Sequence, residues 1–358
     1  MSPDHRILSS VAEHLPLPRR RRGRMAPMEI SIGITPGPDA VRHAQLAEKL
    51  GFRRAWLYDS AALYEDIWIN IANILNATDN LDVGTAVLVP NLRHVMTTAS
   101  AIATIERMAP GRLMVGFGTG FTARMVLGKK ALSWKATRTY IETLHTLLAG
   151  GVAEVEGERV QMIHRPSLTA ERPINVPLLL SAMGPKGLDI TAEMIANGTC
   201  AGLIGVAPLE GPWGHQVLMV SGSVLDEGES AGSPRARAAI GPWYVVGYHG
   251  CWEAAPEFLT AMPGGAEWLA DVESTRPERE RHLAVHEGHV TEVFGRDQVV
   301  LDLADEATLS GVGWTGDSAS IKEKVSHASS VGVREILYTP AGPDVEREMR
   351  AFAAATLS

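Results

Sequence analysis

Two hydrophobic periods alternate along this chain. Short, nearly unbroken apolar runs give way to stretches in which apolar residues recur every three to four positions, the signatures of buried strands and amphipathic helices. Residues 29–35 (EISIGIT) form a β-rich run, Pro38-Asp39 opens a helix through Leu50, and Gly51 stops it. The pattern then predicts a strand at 54–59 (RAWLYD), a helix at 67–77, a strand at 82–89, a helix at 98–108, a strand at 113–117 and a helix at 134–148. Gly150-Gly151 interrupts it. Residues 152–175, with Pro166 and Pro173, predict an extended excursion carrying a small hairpin before a buried strand at 176–182. Next come a helix at 186–196, a strand at 200–206, a partly helical segment at 214–239 and a strand at 243–248. The chain closes with a helix at 321–331 capped by Asp317 or Ser318, a strand at 335–339 and a helix at 344–355.

Eight strands, each followed by helical sequence, predict an α/β protein with a closed (β/α)8 barrel rather than an open doubly wound sheet. Its insertions follow strands 4 and 7, and the longer one, residues 250–309, is expected over the C-terminal mouth, where barrels build their sites. Length alone leaves two average domains or one large barrel open for 358 residues. The repeat favours one domain over 28–358, with 1–27 as a flexible basic arm carrying Arg19, Arg20, Arg21, Arg22 and Arg24.

The totals narrow the function classes. No apolar run approaches the roughly 18 residues of a spanning helix, so no membrane partner is expected. A net charge of -8 argues against nucleic acid, which selects a basic face. Two cysteines, Cys200 and Cys251, give neither a disulfide framework nor a metal-ligand spacing, as expected for a cytoplasmic protein.

Candidate chemistry sits at strand ends. Residues 83–90 (VGTAVLVP) and 112–120 (RLMVGFGTG) end in small residues, which let a flat ligand lie against backbone. Gly116, Gly118 and Gly120 do not complete a dinucleotide fingerprint, because Phe121 stands where the third glycine belongs. Asp59 and Ser60, with Tyr64 and Trp68 beyond them, supply an acid, a hydroxyl and two aromatics; the alternative makes Asp59 a helix cap and Trp68 core. His282, His286 and His289 fall at i, i+4 and i+7, one face of a helix, and suit acid/base chemistry, a metal or a polar lid. A metal-dependent hydrolase built on these three is the remote alternative; zinc would also need second-shell partners, and no metal is assigned. Gly228-Glu229-Ser230-Ala231-Gly232 matches a nucleophile elbow in letters only, since no buried strand leads into it and Ser233-Pro234 follows.

Taken together, several runs resemble the bacterial-luciferase-like superfamily of flavin- or coenzyme F420-dependent oxidoreductases: Ile32 to Thr35, Ala44 to Phe52, Trp56 to Asp59, Gly84 to His94, Gly111 to Gly120, and Gly332 to Pro340. The resemblance spans about residues 28–357 and implies a (β/α)8 barrel. It implies that Asp59, Thr85, Ala86, Gly118, Thr119 and Gly120 contact the isoalloxazine or deazaflavin ring. The Ala86-Val87 bond matches the position of a non-prolyl cis peptide in F420-using relatives. Ser181, Ala182, Met183 and Gly184 resemble the segment that receives the cofactor phosphate through backbone N–H groups. Ser60 stands where several F420-dependent dehydrogenases carry histidine, which leaves His282, His286 and His289 to supply a proton. The implied function is hydride transfer between reduced F420, or FMN, and a small organic substrate. The rival is a monooxygenase fed with reduced FMN by a separate reductase; a homodimer is the family expectation.

Overall fold

A computed structural model describes residues 28–357; the basic arm, with its arginine run, lies outside the described residues. The chain runs β1 (Glu29–Ile34), α1 (Ala40–Leu50), β2 (Arg54–Leu57), α2 (Ile67–Ala77), β3 (Asp82–Leu88), α3 (Val95–Met108), β4 (Leu113–Phe117), α4 (Phe121–Met125) and α5 (Trp134–Leu148). A small hairpin follows, β5 (Ala153–Val155) and β6 (Glu158–Val160), then β7 (Leu178–Ser181), α6 (Pro185–Ala196), β8 (Gly202–Gly205) and β9 (His215–Val220). After β9 come α7 (Pro234–Ala254), α8 (Gly265–Thr275), α9 (Arg281–Val285), α10 (Arg296–Asp302), α11 (Glu306–Ser310) and α12 (Ser318–Ser330), before β10 (Glu335–Tyr338) and α13 (Val345–Thr356). All strands except the hairpin pair in parallel and close into a barrel in the order β1-β10-β9-β8-β7-β4-β3-β2. This is the (β/α)8 barrel that the alternation predicts.

Local chemistry explains most boundaries. Gly51 ends α1 in the left-handed region at φ 89°, where a Cβ is costly, and its N–H closes on carbonyls of the last turn. Asp66, Ser133, Ser233 and Asp317 accept backbone N–H groups at the starts of α2, α5, α7 and α12. The hairpin turns on Glu156 and Gly157, both at positive φ, as a two-residue turn matched to strand twist requires.

One prediction is corrected. The sequence pattern places a strand at 243–248, whereas those residues lie in the middle of the 21-residue helix α7. The seventh barrel strand is β9, inside the segment expected to be partly helical. Aromatic and β-branched residues (Trp243, Tyr244, Val245, Val246) mimic strand propensity, but Ser233-Pro234 caps a helix and tertiary packing carries it through Pro242. The segment after the seventh strand therefore begins at Ser221, well before 250.

Three clusters hold the fold. The largest lies between the outer faces of the strands and the surrounding helices. The barrel interior is filled by Trp56, Met114, Leu179, Ile204, Val217 and Leu337. A third cluster belongs to the segment after β9, where Ile240, Val245, Tyr248, Trp268, Val272, Val285 and Val300 bring α7, α8, α9 and α10 together. That last cluster positions several side chains of the site.

Candidate functional site

A cavity of about 270 Å³ sits over the C-terminal ends of the barrel strands, near the lower bound of roughly 300–1,000 Å³ for small-molecule sites. Its wall is mostly apolar. Ala86 and Val87 come from β3, Ile204 from β8, Met219 from β9, and Trp243 and Val246 from one face of α7. Polar groups stand around it: Ser60, Tyr64, Thr122, Ser181 and His289. A larger groove of about 1,070 Å³ lies elsewhere, lined by Asp39, Arg42, Arg237, Asp344 and Glu346 among others. Arg42 there pairs with Asp39, and Arg237 binds the Leu301 carbonyl, so its charges serve the scaffold.

The expected site residues divide into those that line the cavity and those that lie behind it. Asp59, Ser60, Ala86, Gly120, Ser181, Met183 and His289 line it. Thr85 is fully buried and exchanges hydrogen bonds with the Gly116 backbone at 3.0 and 3.1 Å, locking β3 to β4 beneath the floor. Gly118 lies behind Val87; a Cβ there would fall 2.7 Å from the valine. Thr119 offers its carbonyl to Leu132 N–H, and Ala182 is buried with its N–H on the Ile204 carbonyl. Gly184 caps α6, with Pro185 at the first helical position, so the 181–184 segment runs from the cavity to a helix N-terminus. The Ala86-Val87 peptide is cis.

Asp59 is held by an arginine. The Arg93 guanidinium lies 2.8 Å from both Asp59 carboxylate oxygens and 2.7 Å from Asp66. Burial raises the Asp59 pKa, and Arg93 only partly offsets it. The carboxylate is therefore an ion-pair member at the cavity edge as well as a lining group. Tyr64 lines the cavity, whereas Trp68 packs on the main core.

The histidines depart from their expected arrangement. A continuous helix would put all three on one face, but α9 ends at Val285 and the chain turns through His286 to Val290. His282 packs against Gly128, away from the cavity lining. His286 is buried, its Nδ1 2.8 Å from the His282 carbonyl, and burial lowers it to about 4. His289 alone of the three reaches the cavity, and burial with His249 and His286 nearby holds its pKa well below the ordinary value. Beside it Val290 adopts φ 66°, a strained geometry for a β-branched residue that costs about 1–3 kcal/mol. The premise of a three-histidine metal site is thereby lost.

Sequence reasoning missed the partners of His289. Its Nδ1 lies 2.7 Å from Nδ1 of His249 on α7, and its Nε2 lies 3.2 Å from Thr122 Oγ1. His249 Nε2 lies 3.1 Å from Asp297 on α10, which also accepts Trp268 Nε1 at 2.7 Å. The signal for His249 was the Ser233-Pro234 cap, since helical spacing from there puts Trp243 and Val246 on one face. Asp297 carries no signal; only packing of the third cluster brings it there.

The opposite end of the barrel is closed by ions. Glu335 accepts Arg54 at 2.9 Å, His215 at 2.7 Å and Trp56 Nε1 at 2.7 Å. Burial alone would raise Glu335, but His215 and Arg54 outweigh it and hold the carboxyl at about 2. Glu29, His215 and Glu335 are the ligand-type group close enough to share an ion among the described residues, yet the Arg54 cation already occupies that charge environment. The Gly228 to Gly232 run lies in turns ahead of α7, with Ser230 Oγ accepting Gly232 N–H, so it forms no nucleophile elbow.

The model of a known family, the luciferase-like monooxygenases, matches residues 19–204, more than half of the chain. The chain belongs to this family. It is 24% identical over 352 residues to the 5,10-methylenetetrahydromethanopterin reductase of Methanopyrus kandleri, covering 89% of this chain and 95% of that protein. The Methanolobus tindarius protein of the same name is 27% identical over 156 residues, covering 42% of this chain and only 46% of that relative. Among solved structures, the coenzyme F420 dependent tetrahydromethanopterin reductase of Methanopyrus kandleri superposes with a TM-score of 0.64 at 17% identity, over 93% of this chain and 99% of that one. That likeness shows the shared fold. Among the described residues no helix is long and apolar enough to cross a membrane.

Proposed function

We propose that this chain is an oxidoreductase that binds a flavin-type cofactor in the strand-end cavity, coenzyme F420 in preference to FMN, and exchanges hydride with a small organic substrate. The observation that carries this reading is the cavity itself: an apolar slot backed by Ala86 and Val87, edged by Ser60, Ser181 and Thr122, with one buried histidine entering it. Such a slot fits a flat heterocycle, and the adjoining Ser181 to Gly184 segment leads to the N-terminus of α6, where backbone N–H groups and the helix dipole favour a phosphate. When bound, the cofactor supplies or accepts the hydride.

This chain's own residues position the reactants and manage protons. Ala86 and Val87 back the ring, the apolar wall from Ile204, Met219 and Val246 excludes water, and His289 carries the proton that balances the hydride. Asp59, fixed by Arg93, holds the edge of the site. Preference for F420 is supported by the F420-dependent dehydrogenases among its sequence relatives, one of them 38% identical over 88 residues, 22% of this chain. We further propose a homodimer through the helices that follow β2 and β3, where Ile69 on α2 is 63% exposed, and a cytoplasmic setting in which a separate enzyme reduces the cofactor.

Anaerobic titration with F420 and FMN, each oxidised and reduced, followed by absorbance and fluorescence, tests the reading. Micromolar binding of F420 over FMN is expected. Preference for reduced FMN would make the chain a monooxygenase fed by a reductase, and binding of neither would refute both.

A further inference from the structure

The segment after β9 delivers more than a wall to the cavity. Asp297, His249 and His289 come from α10, α7 and the turn after α9, and these residues are 4%, 1% and 3% exposed. We propose that these three groups form a proton relay from the interior of that segment to the cavity, with His289 Nε2 as the atom that exchanges a proton with substrate and His249 and Asp297 as positioning residues. The proposal rests on the oxidoreductase reading of the cavity and adds the route and resting place of the proton.

The hydrogen-bond chain has one direction. Asp297 Oδ1 accepts Trp268 Nε1–H at 2.7 Å, and its Oδ2 lies 3.1 Å from His249 Nε2. A carboxylate only accepts, so His249 carries its proton on Nε2. Its Nδ1 is then a lone pair and accepts Nδ1–H of His289 at 2.7 Å. That assignment leaves the His289 Nε2 lone pair towards Thr122 Oγ1, 3.2 Å away on the cavity lining. A single buried carboxylate thus sets both tautomers and aims a free base into the site.

Proton movement follows the same chain. A proton taken up at His289 Nε2 releases the Nδ1 proton to His249 Nδ1, and His249, now carrying two protons, rests against the Asp297 carboxylate. Two N–H bonds form, at His289 Nε2 and His249 Nδ1, while the His289 Nδ1–H bond and the bond from the incoming proton to its donor in the cavity break, and no electron moves. The reverse sequence delivers a proton to the cavity. Positive charge therefore comes to rest beside a carboxylate rather than beside the substrate, where burial disfavours it.

Other groups face this chain. The His286 ring lies 5.4 Å from His289 and 6.0 Å from His249, with His282 behind it through the His286 Nδ1 contact. Tyr64 donates to the His289 carbonyl at 3.3 Å, and burial keeps its hydroxyl protonated. None of these supplies a carboxylate, so Asp297 is the counter-charge for His249.

The test is long-range ¹H–¹⁵N NMR of the full chain labelled at histidine nitrogens, without cofactor, with resonances assigned from His249→Gln, His286→Asn and His289→Gln. At pH 7 the expected state is His249 with Nε2–H and His289 with Nδ1–H. On acidification His249 should become the first imidazolium of the pair while His289 switches from Nδ1–H to Nε2–H, a response that merely structural histidines would not give. Asp297→Asn should move that switch at least one pH unit lower. A neutral-pH His289 carrying Nε2–H, or acidification that doubly protonates His289 without a tautomer switch, would overturn the relay. If Asp297→Asn does not fold, the wild-type titration decides alone. Because no cofactor is present, failure here is distinct from failure to bind F420.

Discussion

Replacing Arg93 with Met removes the counter-charge of Asp59, whose side chain is 2% exposed. The two guanidinium contacts at 2.8 Å are lost and a carboxylate is left in a nearly dry site. Breaking a buried pair from one side costs about 3–5 kcal/mol. Asp59 can escape part of that cost by taking up a proton, and this bounds the loss at about 1.4 kcal/mol for each pH unit above its unfolded value near 3.9. The ceiling is then about 4 kcal/mol at pH 7 and about 1.5 kcal/mol at pH 5. The sign is that of an acid whose folded pKa is raised: stability is lost as pH rises. The half-exposed Asp66 contact of the same arginine adds little. Urea unfolding of wild type and Arg93→Met at pH 5, 6, 7 and 8 should show the deficit growing with pH, and Asp59→Asn in the same chain should recover most of it. A deficit below about 1 kcal/mol at pH 7, or one equal at pH 5 and pH 8, would refute the reasoning.

His286, buried and lowered to about 4 from an ordinary 6.5, binds a proton more readily when unfolded, so stability should fall as pH drops from 6.5 to 4, by about 3 kcal/mol in all. His286→Asn, whose amide can keep the bond to the His282 carbonyl, should remove that share of the slope in urea melts; an unchanged slope would show that the histidine is not kept neutral. A methyl at Gly84 would sit 2.5 Å from the fully buried Trp56 ring, so Gly84→Ala should cost about 1–3 kcal/mol by overpacking. Gly37→Ala, where a Cβ meets nothing within 4 Å, should leave the melting temperature nearly unchanged, and equal effects at the two positions would contradict the packing account.

The barrel was legible because parallel strands buried on both faces read as continuous apolar runs, and because Gly51 and Asp317 mark helix ends. Failure came at β9 and α7. His215 and Gln216 dilute the short apolar run of β9, and the aromatic, β-branched centre of α7 carries strand propensity that packing overrides. The small residues and hydroxyls at the strand ends pointed to the cavity before any geometry was known. The His289 partners were out of reach, since His249, Asp297 and Thr122 lie on separate elements and meet only through the cluster formed by α7 to α10. Even the spacing of the three histidines misled, because α9 is five residues long and ends before His286.

The most direct test of the central claim compares wild type with Ser181→Trp in an anaerobic F420 fluorescence titration. Ser181 ends β7 at the cavity wall, where an indole would fill much of the roughly 270 Å³ available. The account predicts micromolar binding to wild type and at least a tenfold loss in Ser181→Trp at an unchanged melting temperature. Equal affinity in the two proteins would place the cofactor elsewhere and contradict the account.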